Sequence, residues 1–113
     1  MVHYKVFFTV HSGVQESHCL AVVEAFLQQL TNLGEVAVFR IFKDSSYIPG
    51  GRTGFQALVE FSSDAAFARA IKKQQERGVH EGAHGGVVAV VSDFRVEVIR
   101  DIAFEGMQYA CEI

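Results

Sequence analysis

Apolar and polar residues alternate along residues 3–11. Tyr4, Val6, Phe8 and Val10 fall on one side, and His3, Lys5, Phe7, Thr9 and His11 on the other. A period of two places the two sets on opposite faces of a strand. Ser12-Gly13-Val14-Gln15 then reads as a capping box, in which two side chains satisfy backbone donors at a helix start. The helix it predicts runs to about Leu33, with Cys19, Val22, Val23, Phe26, Leu27, Leu30 and Leu33 recurring at helical spacing. Gly34 is placed to end it. Residues 35–43 are a second strand, apolar on both sides; placing Arg40 outward sets Val36, Val38 and Phe42 beside it. A loop with the only proline of the chain, Pro49, follows.

Residues 54–61 are a third strand, with Phe55, Ala57, Val59 and Phe61 against Gln56, Leu58 and Glu60. Ser62 or Ser63 caps a second helix, and Asp64 favours its positive end. Phe67, Ala70 and Ile71 form its buried side, and Gly78 ends it. Residues 83–91 fit both a short helix and a strand. Gly85-Gly86 weakens a helix by about 1 kcal/mol per glycine, but the stripe Ala83, Val87, Val90, Val91, Phe94 favours the helix. Residues 94–102 alternate as a last strand, and 103–113 form a tail.

The 113 residues suit one domain over 1–113, with its core in 3–102. Half of them are apolar, enough for a core without staples. The net charge of −3 counts against a constitutive nucleic-acid binder. Cys19 sits on a helical apolar stripe and Cys111 near the end, so no disulfide framework is expected. No leader pattern and no run of about 18 apolar residues appears. The expectation is therefore a cytoplasmic protein with no membrane partner.

The order β-α-β-β-α-(short α)-β resembles a ferredoxin-like α+β sandwich, a four-stranded antiparallel sheet with helices on one face. The extra short helix narrows the likeness to the dimeric α/β-barrel superfamily. That group includes the stress-responsive A/B barrel proteins and the cofactor-free monooxygenases of antibiotic biosynthesis. The residues that carry the likeness are 4–10, Gly54-Phe55-Gln56-Ala57-Leu58-Val59-Glu60-Phe61, and 80–101. The resemblance implies a homodimer in which two sheets face each other around a pocket. It does not settle whether a reaction is catalysed.

The face left uncovered by the helices mixes charges with large apolar groups. Solvent does not favour the apolar groups, and a core does not tolerate Lys5, Arg40, Glu60 and Arg95 unpaired. The expected occupants are a second copy and a small, partly apolar ligand in a cavity on the open face. His11, Arg40, Gln56 and Glu60 are its candidate polar lining, and Phe7 and Phe42 its apolar wall. His11 is a candidate proton carrier near neutral pH, and Arg40 a candidate anion holder. The alternative is a structural or regulatory dimer with no ligand.

A metal-binding or an RNA-binding module ranks behind both readings. The outward positions of the third strand hold Gln56 and Leu58, not the stacking aromatics that RNA-recognition sheets place there. His80-Glu81-Gly82-Ala83-His84 matches the HExxH zinc pattern letter for letter. Gly82, Gly85 and Gly86 make a poor metalloprotease helix, however, and no third ligand is evident. His80 and His84 are therefore assigned to the mouth of the ligand pocket, with no metal and no cofactor expected.

Overall fold

The protein is described from a computed structural model, which defines residues 1–44, 53–78 and 82–102. Where polar and apolar residues alternate, strands form: β1 (Val2–Val10), β3 (Gly54–Phe61) and β4 (Val91–Arg100). β2 (Val38–Asp44) completes an antiparallel sheet of order β2-β3-β1-β4. The helices are α1 (Glu16–Asn32), α2 (Asp64–Arg77) and α3 (Gly82–Val90). This is the expected α+β ferredoxin-like fold.

Several local signals act as read. Ser63 caps α2, its hydroxyl accepting the Ala66 N–H at 3.1 Å. Gly34, at φ +76°, ends α1 in a Schellman arrangement. There the Glu35 N–H reaches the Leu30 carbonyl at 2.9 Å, and the Gly34 N–H reaches that of Thr31 at 3.0 Å. The segment from residue 83 is helical, as favoured.

Other boundaries move. Ser12 does not cap α1. Residues 12–13 form a turn, with Gly13 at φ +84°, and the Val14 N–H donates to the His11 carbonyl at 3.0 Å. The helix starts at Glu16, behind a Gln15 whose side chain makes no cap. Carrying the chain off the sheet edge uses the residues that the capping box would have needed. β2 begins at Val38 rather than at 35, because Glu35 and Val36 are still bonded to the end of α1. Val36 is therefore buried in the core, not beside Arg40 on the open face. β4 begins directly after α3, at Val91 instead of 94. Val91 pairs with Val10, and the pairing shifts register between Phe7 and Thr9. This bulge is accommodated at Asp93, which lies at φ +49°.

The core lies between sheet and helices. Cys19, Val23, Leu27 and Leu30 of α1 pack over Phe8, Phe55, Ala57, Val59 and Phe61. Each large apolar side chain buried there contributes about 2 kcal/mol. Phe8 stacks on Phe55 at 5.7 Å, and Tyr4, Phe61 and Phe67 form an aromatic cluster under α2. Cys19 is fully buried, and burial pushes its thiol pKa up. Cys111 lies outside the described residues.

Candidate functional site

The two faces of the sheet offer different chemistry. On the open face, strand register fixes three rows. Ile99, His3, Glu60 and Val38 form one, and Glu97, Lys5, Leu58 and Arg40 the next. Arg95, Phe7, Gln56 and Phe42 form the third. Arg95 lies 4.4 Å over the Phe7 ring and 3.6 Å from Glu97. His3 sits between Asp101 at 2.9 Å and Glu60 at 3.4 Å. The hydrogen bond from His3 is the largest influence holding the Asp101 carboxyl below its ordinary pKa. Lys5 and Arg40 flank Leu58 and make no ion pair among the described residues. Val38, Phe42 and Ile99 are each over 40 % exposed on this face.

Five of the expected site residues, Phe7, Arg40, Phe42, Gln56 and Glu60, lie together on these rows. His11 lies just past the end of β1, exposed, with its Nδ1 2.9 Å from the Ser92 hydroxyl. His80 lies outside the described residues.

His84 is on the other side of the sheet. There a cavity of about 310 Å³ opens between sheet and helices. Tyr4, Val6 and Ala57 form its floor; Phe26 and Leu27 of α1, Ile71 and Gln74 of α2, and His84 and Val87 of α3 form its walls. His84 packs edge-on against Phe26, ring centres 5.5 Å apart. Tyr4 is largely buried, which pushes its hydroxyl pKa up. Among the described residues, no Lys, Arg, Asp or Glu lines this cavity. Two short side chains, Ala57 on β3 and Ala70 on α2, are part of its lining. It also runs out to the edge strand, where Phe94 and Val96 stay uncovered at 64 % and 38 % exposure.

The sequence reading placed a cavity on the open face; the cavity of the single protomer opens on the helix side. The sequence signal for the helix-side cavity is the pair of short inward residues, Ala57 and Ala70, with apolar residues of β4 on the same side.

The profile of one family matches residues 1–111. The chain belongs to DUF6614, a family of unknown function. No curated protein matches the sequence. Solved structures share the fold at low identity. A mutant of SnoaB, a cofactor-independent oxygenase from Streptomyces nogalater, is similar at TM-score 0.68 and 11 % identity, over 94 % of this chain and 97 % of that one. A DABB-family protein with a ferredoxin-like fold from Mesorhizobium loti gives 0.61 and 19 %, over 90 % and 97 %. A dimeric ferredoxin-like protein of unknown function from Thermobifida fusca gives 0.57 and 14 %, over 87 % and 88 %. The expected likeness to antibiotic-biosynthesis monooxygenases and DABB proteins is therefore found at the level of fold. No described helix is long and apolar enough to cross a membrane.

Proposed function

We propose that this protein is a homodimer joined through its open sheet faces, with each protomer binding a small, largely apolar molecule in the helix-side cavity. The observation that carries the ligand reading is the cavity: about 310 Å³, aromatic and aliphatic, with a few polar groups. Small-molecule sites combine these features. The dimer reading is supported by Val38, Phe42 and Ile99 on one uncovered face. Facing sheets remove such a patch, and two structures of the same fold are described as dimeric. In this arrangement the site residues expected from sequence are divided. Phe7, Arg40, Phe42, Gln56 and Glu60 serve the interface, and His84 serves the ligand. The cytoplasm remains the expected location.

The fold likeness supplies one activity to test against this wall. Tyr4 and His84 are its titratable side chains. Tyr4 is protonated at neutral pH, and burial pushes its hydroxyl pKa further up, so it can donate a hydrogen bond to a bound molecule. Cofactor-independent oxygenation, the activity named for SnoaB, is the activity to assay.

The test of binding is titration with N-phenyl-1-naphthylamine, a neutral dye that brightens in apolar sites. The wild type should bind it saturably. Ala70→Leu, which fills the cavity, should weaken binding while the circular dichroism spectrum is unchanged. Absence of saturable binding, or equal binding by a folded Ala70→Leu variant, overturns the ligand reading.

A further inference from the structure

The apolar cavity does not end at His84. A second cleft, of about 370 Å³, lies beside it, and the two share Phe26, Leu30, Gln74 and His84 as common wall. The character changes across that wall. Among the described residues, no charged side chain lines the inner cavity, while the outer cleft adds Gln29 of α1 and Arg77 of α2. Arg77 is in the last turn of α2, exposed, and has no ion-pair partner among the described residues. A guanidinium next to two carboxamides and an imidazole suits an oxyanion, because its planar fork can hold two oxygens at once.

We propose that the outer cleft is a subsite for an anionic head group. The ligand of this protein is then an amphiphile, with an apolar body in the inner cavity and a carboxylate or similar oxyanion at Arg77. This rests on the cavity reading above and adds to it the polarity and orientation of the ligand. Gln74 and His84, on the shared wall, sit where body and head group join. The sequence had assigned anion binding to Arg40, but that residue is on the opposite face of the sheet.

Displacement of N-phenyl-1-naphthylamine by a matched pair, decanoate and decanol, tests the proposal at pH 8, where decanoate is ionised. The two probes share their apolar body and differ in charge. Decanoate should bind about fivefold tighter than decanol, the size of effect a partly solvated ion pair gives. The preference should shrink as salt is raised. Arg77→Gln should abolish it while leaving the affinities for decanol and dye unchanged. Equal affinities in the wild type, or a preference that survives Arg77→Gln, overturns the head-group subsite and leaves the cavity reading standing. If neither the dye nor decanol binds, the cavity reading itself fails, and the subsite fails with it.

Discussion

Lys73 Nζ of α2 lies 2.7 Å from Glu35 Oε1, just past the end of α1, and the Glu35 side chain is only 8 % exposed. The other carboxylate oxygen, Oε2, is buried with no hydrogen-bond partner among the described residues. This pair ties α2 to the end of α1 on the cavity side of the sheet. Lys73→Met should leave a buried carboxylate uncompensated and cost about 2 kcal/mol. Lys72→Met is the control. Its pair with Glu76 spans 3.9 Å between exposed side chains, and its loss should stay within about 0.5 kcal/mol. Denaturant unfolding of the two variants measures the difference.

The glycines of α3 lend themselves to a test of opposite sign. A Cβ on Gly86 would meet only Val22 Cγ1, at an ordinary 3.9 Å. Gly86→Ala should therefore stabilise by up to about 1 kcal/mol through helix propensity. Gly82 has open space around it but lies at φ +60°. Gly82→Ala should destabilise by about 1 kcal/mol, because a side chain strains that backbone conformation. Thermal melts of both variants should move in opposite directions.

Leu58 lies between Lys5 and Arg40 on the open face. Leu58→Lys places a third cation in that row and removes an apolar contact, without touching the helix-side core. Light scattering at micromolar concentration should fall from twice the monomer mass to the monomer mass. A wild type already monomeric at that concentration contradicts the dimer, and an unaffected dimer moves the interface off this face.

The carboxyl of Asp101 is held below its ordinary pKa, first by the hydrogen bond from His3. A depressed folded-state pKa contributes stability that is present above the unfolded value and is lost as pH falls through the folded one. Loss should therefore occur on the acid side, below the ordinary carboxylate range. The Asp101 side chain is exposed, so screening keeps the effect small. His3→Ala should raise the Asp101 titration midpoint, followed by carboxyl-carbon NMR shifts.

Local order was legible in the residues that set it. The alternation from Phe55 to Phe61 specified β3, Ser63 specified the start of α2, and Gly34 specified the end of α1. These features depend on residues a few positions apart, and their periodicity and capping chemistry are written in the chain. The strand-and-helix order then restricted the fold to the ferredoxin-like arrangement. Tertiary contacts decided the rest. Glu16 starts α1 because the chain must first turn off the sheet at Gly13, and Val91 enters β4 because Val10 is there to pair with it. The helix-side cavity was out of reach for the same reason. Alternation says which way Ala57 and Tyr4 point, but not whether that side is filled. Whether space remains depends on the summed volumes of side chains from β1, β3, α1, α2 and α3, which only the folded chain brings together.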